Sequence, residues 1–255
     1  MPIGRFFCPD LTQSPVELPP EESHHAAMSL RAKPGDEVIL FDGAGHEAVA
    51  RIVRIAKRRV RIEPGPVTRH PFELRHRITL AVAVMKHHRQ SYLVEKCTEL
   101  GAAAIWPIAA ERSVVKPGEA ATGKWRRRAI DAAKQSDRRY FPHIEPVQSF
   151  QQCLGRLRDF GAAVLADTGV ERPSFLAFLS ARPDHDSVIA LVGPEGGWTD
   201  AEHAAAVSAG ALPVSLGPGV LRVETAAVTV CAAAALLSAG WVPDANPSDT
   251  IPRGS

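Results

Sequence analysis

The chain has 255 residues, 45% hydrophobic and 23% charged, which suffices for a buried core and excludes a disordered or fibrous protein. Its longest apolar run, within residues 226–237, is too short and too rich in Ala and Thr to span a bilayer, and the opening MPIGRFFCPD has no apolar stretch of a secretory signal. The formal net charge of +2 hides a segregation: residues 1–139 hold 24 Lys and Arg against 16 Asp and Glu, and residues 140–255 hold 6 against 12. That pattern suits a basic face for a polyanion, and equally a set of solvated helix and strand faces. Cys8, Cys97, Cys153 and Cys231 show neither CxxC nor Cys/His ligand spacing, so a reduced cytoplasmic protein without structural metal is expected.

In chain order, Pro19–Ser23 opens a short helix expected to run through Leu30, with Ser23 and the Glu pair suited to its start. Residues 37–41 and 47–55 flank the turn Asp42-Gly43-Ala44-Gly45 and predict a hairpin, with a third strand at 58–63. Pro64-Gly65-Pro66 is expected to stop this sheet as a linker. From about residue 75 the pattern changes to strand–helix alternation. The continuous apolar run 78–85 predicts a strand buried on both faces, followed by a helix N-capped by Ser91 and ended by Gly101. Strands follow at 103–108, 162–166, 187–192 and 213–216. Helices are expected over 124–136, after Pro173, from the capping box Thr199-Asp200-Ala201-Glu202 to Gly210, and over 225–239. Parallel α/β accommodates this alternation. The chain divides into a β domain (1–72), an α/β domain (73–242) and a Pro/Asp/Ser-rich tail (243–255) expected to fray.

Two loops each follow a predicted strand and precede a predicted helix: Gly193-Pro194-Glu195-Gly196-Gly197, and Gly217 through Thr225. Glycines at the carboxyl ends of parallel strands let a backbone approach a ligand closely. Neither loop is G-x-G-x-x-G or a phosphate-binding G-K-[ST] loop, so neither a dinucleotide nor a nucleoside triphosphate is indicated. They could be no more than tight βα turns. Two of them so close in sequence, both stiffened by proline, favour a shared pocket.

LVGPEGGWTDAE (191–202) and LGPGVLRVETAAV (216–228) resemble the paired C-terminal motifs of the SPOUT methyltransferases, and more narrowly the 16S ribosomal RNA (uracil-N3) methyltransferase family. EKCTELGAAAIWPIAAERSVVK (95–116) and RRAIDAAKQSDRRYFPHI (127–144) match that family's middle region, and the segment from RFF (5–7) through FDGAG (41–45) resembles its PUA-like RNA-binding domain. The resemblance implies a trefoil-knotted α/β domain behind a small PUA-like β-barrel. It further implies a cytoplasmic homodimer that uses S-adenosylmethionine to make N3-methyluridine in 16S ribosomal RNA, naked or in the 30S subunit. The cofactor would be held by Leu165, Gly193, Glu195, Gly196, Gly197, Leu216, Gly217, Val220, Leu221, Arg222 and Thr225. One departure stands out: Gly219 occupies the place where the family usually has Arg after the second Gly-Pro. That departure supports an alternative reading, a non-catalytic RNA-binding protein on a knotted scaffold.

Methylating N3 of uracil requires loss of the imide proton and stabilisation of negative charge on the flanking carbonyls. By motif, Arg222 is the cation and Glu224 either takes the proton or orients Arg222; a helix cap joined to an ion pair is the plainer reading. Glu195 could likewise be a helix N-terminal charge. The long Ala-rich helix after Glu224 suits a dimer interface or a buried position within one subunit. For RNA, Arg51, Arg54, Lys57, Arg58, Arg59 and Arg61 place six cations in eleven residues, with Arg54, Arg58 and Arg61 as the leading contacts. Arg127 and Arg138 lead a second cluster between Lys124 and Arg139, and Lys86 and Arg89 flank His87 and His88 at a strand end. Adjacent histidines on an extended chain diverge and no third ligand is spaced for them, so no metal is expected there or at His24-His25.

Overall fold

The computed structural model describes residues 2–57, 59–113, 121–169, 172–184 and 186–240. Its N-terminal unit contains β1 (Arg5–Phe7), β2 (Val16–Glu17), α1 (Pro20–His24), β3 (Glu37–Phe41), β4 (His46–Ala56), β5 (Arg59–Pro64) and β6 (Thr68–Arg69). The Asp42–Gly45 turn joins β3 to β4 antiparallel, as expected, with Phe41 opposite Glu47. The six-stranded sheet runs β1-β3-β4-β5-β2, with β6 on β4, over a core that includes Phe6, Val38, Leu40, Ile52, Val60 and Ile62. The sheet does not stop at Pro64–Pro66. Gly65 N–H donates to Val49 O at 2.9 Å, and the chain turns back so that Arg69 pairs with His46. After α1 the helix widens into a π turn, His25–Ser29. Ser23 lies inside the helix rather than capping it, its hydroxyl donating to Leu18 O at 3.0 Å.

The C-terminal unit contains β7 (Arg77–Ala83), α2 (His87–Glu99), β8 (Ala104–Ala109), α3 (Ala121–Gln135), β9 (His143–Ile144), β10 (Gln148–Ser149), α4 (Phe150–Leu154), β11 (Ala162–Ala166), α5 (Phe175–Ser180), β12 (Ser187–Val192), α6 (Asp200–Ser208), β13 (Ala211–Val214) and α7 (Val223–Ser238). Its seven strands order as β10-β8-β7-β12-β11-β13, with β9 on β8, and every pairing is parallel. The continuous apolar runs of β7 and β12 are explained by helices on both faces. Ile78, Leu80, Val82, Val188 and Ala190 face the core under α2, α3, α5 and α7, whereas Ala81, Ile189 and Leu191 face α4 and α6.

Two expectations are corrected here. The helix after β7 starts at His87, with Lys86 rather than Ser91 at its cap: Gln90 Oε1 accepts from Met85 N at 3.2 Å and closes the first turn. The last strand ends at Val214, two residues earlier than read, because from Ser215 the backbone bonds to Pro173 and Phe175 instead of continuing along β11.

The two units are bolted together. Phe7, Phe41 and Ala133 share a small core with Ile130 and Phe141, and the ring of Phe7 meets that of Phe141 edge-on at 5.5 Å. Around it, ion pairs cross between the units: Lys134–Glu22 (2.9 Å), Arg5–Asp137 (3.7 Å) and Arg139–Glu47 (3.8 Å). Among the described residues no helix is long and apolar enough to cross a membrane, and no group of His, Cys, Asp and Glu could hold a metal ion. The four cysteines are free and buried. The segment 243–255 and Arg58 lie outside the described residues.

Candidate active site

The two glycine loops form facing walls of one cavity of about 440 Å³ at the carboxyl ends of β11, β12 and β13. The first loop is fixed where α6 begins: the Thr199 hydroxyl accepts from Glu202 N at 3.1 Å while Thr199 N donates to Glu202 Oε2 at 3.0 Å. Glu202 Oε1 also accepts from Glu111 N at 2.8 Å, and Arg112 donates to Gly196 O at 2.8 Å. In the second loop Ser215 Oγ donates to Gly217 O at 3.1 Å. Gly217 adopts φ +143, and a Cβ there or at Gly219 would meet nothing within 4 Å. Gly193 is different: a Cβ would stand 2.9 Å from Trp198 Cε2.

Of the residues implied for the cofactor, Gly193, Glu195, Gly196, Gly197, Leu216, Gly217, Val220 and Leu221 line this cavity. Leu165 is fully buried in β11 behind it. Arg222 and Thr225 are exposed and outside the lining. The cavity also gathers Asp167, at the strand end that the resemblance implies for the cofactor, Trp198 and Asp200, both within the 191–202 motif, and His203, which no motif distinguished. Asp167, at the end of β11, accepts from Arg172 Nε at 2.9 Å and lies 3.2 Å from His203 Nε2. Burial pushes the Asp167 carboxyl up, but hydrogen bonds from His203, Arg172 and the Gly169 N–H outweigh it, and its pKa falls below the ordinary value. Trp198 Nε1 is buried without a hydrogen-bond partner, against Gly193.

A second cavity of about 280 Å³ adjoins the first, lined by Val84, Met85, Lys86, His88, Arg89, Pro194, Glu195 and Val223. Pro194, Glu195 and Val223 belong to both. Arg89, in the first turn of α2, makes an ion pair with Glu195 and lies 3.4 Å from Glu224 Oε1. Glu224 lines neither cavity, and its Oε2 is buried without a partner. Arg222 forms the helix cap through its backbone, its carbonyl accepting from Ala226 N at 2.8 Å. The partner of Glu224 is therefore Arg89, contributed by a distant part of the chain.

The cations predicted to meet RNA divide into two groups. Arg54 on β4 and Lys86 at the start of α2 are exposed, and Arg61 is 55% exposed with Glu17 at 3.8 Å. Arg127 pairs with Glu21, and Arg138 donates to both Glu73 and Glu99 O. Arg127, Lys134 and Arg139 of the second basic cluster thus pair with Glu21, Glu22 and Glu47 of the N-terminal unit, while Arg138 is held within its own.

The RNA methyltransferase domain family matches residues 72–235, and the RNA methyltransferase PUA domain family matches residues 18–65. Ribosomal RNA small subunit methyltransferase E of Bacillus subtilis is 34% identical over 88% of this chain and 93% of its own length. A methyltransferase of Legionella pneumophila, solved with its cofactor SAM, superposes with a TM-score of 0.82 at 30% identity, covering 93% of this chain and 98% of that one. Ribosomal RNA small subunit methyltransferase E of Neisseria gonorrhoeae, solved with S-adenosyl methionine, gives 0.77 at 28% identity, over 92% and 97%. With a PUA-type unit ahead of a parallel α/β unit whose glycine loops frame one cavity, the chain belongs to the ribosomal RNA small subunit methyltransferase E family.

Proposed function

We propose that this chain methylates N3 of a uridine in 16S ribosomal RNA, using S-adenosylmethionine bound in the larger cavity. The observation that carries the reading is the convergence of the two glycine loops on one cavity that Asp167 and Trp198 also line. These groups fit the cofactor: Gly217 and Gly219 leave space where a side chain would intrude, and Asp167 suits hydroxyl or amino donors. When bound, the cofactor supplies an electrophilic methyl on a sulfonium for in-line displacement. The chain's own tasks are to orient the acceptor, exclude water and stabilise the charge that develops on the uracil carbonyls. In this reading Arg222 offers an exposed cation at the mouth, and Glu224 holds Arg89 in place.

The same reading includes the trefoil knot, a cytoplasmic location and a homodimer to whose interface α7, with Leu236 51% exposed, contributes. It also includes the division at residues 72/73 and 242/243, and 16S RNA within or apart from the 30S subunit as substrate. Mass mapping of modified nucleosides in 16S RNA from a deletion strain tests it, together with calorimetric titration of S-adenosylmethionine. Loss of one N3-methyluridine and saturable cofactor binding are expected. RNA binding without cofactor binding would favour a non-catalytic RNA-binding protein, the reading that Gly219 supports.

A further inference from the structure

The smaller cavity is assigned no occupant by anything above. It shares the lining residues Pro194, Glu195 and Val223 with the larger one, so occupants of the two would lie against the same three residues. Methyl transfer needs donor and acceptor atoms about 3–3.5 Å apart. At about 280 Å³ the smaller cavity lies just under the roughly 300–1,000 Å³ of drug-sized ligand sites, a size for one nucleobase. Its walls combine apolar faces from Val84, Met85 and Val223 with cations at Lys86 and Arg89 and a carboxylate at Glu195.

The arrangement matches one edge in particular. Uracil presents an acceptor, a donor and an acceptor at O2, N3–H and O4, so its complement is a carboxylate flanked by cationic donors. Cytosine would turn an N3 lone pair toward that carboxylate and be repelled. Glu195 is the carboxylate among the lining residues of the smaller cavity, and it lines the larger one as well. Arg89 lies beside it, and Glu224 grips the guanidinium from a position lining neither cavity.

We propose that this second cavity receives the acceptor uracil, flipped out of the RNA, with Glu195 taking its N3 proton and Arg89 facing a carbonyl. The inference rests on the methyltransferase reading above. In the balanced step, the N3 proton passes to a Glu195 carboxylate oxygen and the N3 electron pair closes the new bond to the methyl carbon. The old carbon–sulfur pair returns to sulfur, which leaves as a thioether. Glu195 and Arg89 are then catalytic residues, and Glu224 is a positioning residue acting through Arg89.

The test uses the full chain with S-adenosylhomocysteine and 16S RNA transcribed with 4-thiouridine, irradiated and mapped by mass spectrometry. Adducts on residues 84–89 are expected, and a map with none there overturns the proposal. Alongside it, Glu195→Gln should slow single-turnover transfer by roughly 100-fold or more while S-adenosylmethionine affinity stays within about threefold. Arg89→Ala should do the same and Arg89→Lys should restore part of the rate, with melting curves confirming that each variant folds. Equal losses of cofactor affinity and rate in Glu195→Gln would make Glu195 a cofactor ligand and overturn the assignment, as would full activity. A wild-type chain that neither binds S-adenosylmethionine nor methylates 16S RNA removes the parent reading as well. One that methylates but crosslinks only elsewhere removes the acceptor cavity alone.

Discussion

A Cβ added at Gly193 would stand 2.9 Å from Trp198 Cε2 and 3.0 Å from its Nε1, so the missing side chain is what lets the indole lie against the cavity wall. Gly193→Ala should displace Trp198 and weaken S-adenosylmethionine at least about tenfold, roughly 1.4 kcal/mol. Stability should change by no more than about 1 kcal/mol, because the loop can yield where a core could not. Calorimetry paired with a melt checks both, and unchanged cofactor affinity would show that Trp198 does not shape the site. Gly219 makes the opposite case. No neighbour lies within 4 Å of its added Cβ, so Gly219→Arg should fold normally and, if that loop meets RNA, tighten RNA binding and steepen its salt dependence by about one phosphate contact. Filter binding across a salt series measures this; an unaltered slope places the loop tip away from RNA. His76 is a third position with a readable consequence. It is fully buried, and both ring nitrogens are without hydrogen-bond partners. Burial first, then the neighbouring Arg75, lower its pKa, against Asp184 and Asp186, which raise it, while Arg182 adds to the lowering. The folded chain keeps this ring neutral, so as pH falls below about 6.5 the unfolded chain takes up the proton first. Its contribution to stability is complete above that pH and shrinks below it. Thermal melts at pH 7.5 and 5.5 should show a smaller loss in His76→Phe than in the wild type.

Among the elements, legibility followed length and burial. The continuous apolar runs of β7 and β12 and the reciprocal cap of α6 could be read directly, because burial on both faces and a two-way cap each leave a local signature. Strands of two or three residues, such as β1, β2, β6, β9 and β10, are too short to show a period and exist only through their partners. The loops of the site were visible as glycine motifs. The contact between Asp167 and His203 was not, since the two lie far apart in the chain and meet only after β11 and α6 pack together. The Arg89–Glu224 contact was hidden likewise, joining the start of α2 to the start of α7. The FDGAG hairpin belongs with these long-range features. Its glycines adopt φ +75 at Gly43 and +97 at Gly45, and their Cβ atoms would stand 1.9 Å from the Phe141 ring and 2.2 Å from Tyr140 Oη. The motif is a socket for the residues after α3. Gly43→Ala should therefore cost about 2–4 kcal/mol in denaturant unfolding, combining left-handed strain with overpacking. Gly35→Ala, at φ +98 with nothing within 4 Å, should cost only the strain, about 1–2 kcal/mol.

For the whole molecule, the charge segregation has two physical causes. Part of the basic excess before residue 140 neutralises acids across the contact between the units, as in Lys134–Glu22, Arg127–Glu21 and Arg139–Glu47. These pairs hold the β domain against α3 and so fix where its outer face points relative to the cavities. Another part lies on β4 and β5, where Arg54 stands directly opposite Arg61 in the strand register, beside a bulge between Ile52 and Arg54. Like charges directly opposed across two strands are unfavourable, and Glu17, 3.8 Å from Arg61 Nε, relieves this only in part at such an exposed site. A polyanion lying across the pair would relieve the rest, and that distinguishes a binding face from a merely solvated one. Arg54→Glu separates the two by sign. Creating an opposite-charge cross-strand pair should raise stability by a few tenths to about 1 kcal/mol, while 16S RNA binding weakens and its salt slope falls by about one. S-adenosylmethionine affinity should not change, because β4 contributes nothing to either cavity at the sheet ends. A melt, a salt series of RNA binding and a cofactor titration on the same preparation decide it. Higher stability with unchanged RNA affinity would make the β4–β5 face a solvated surface.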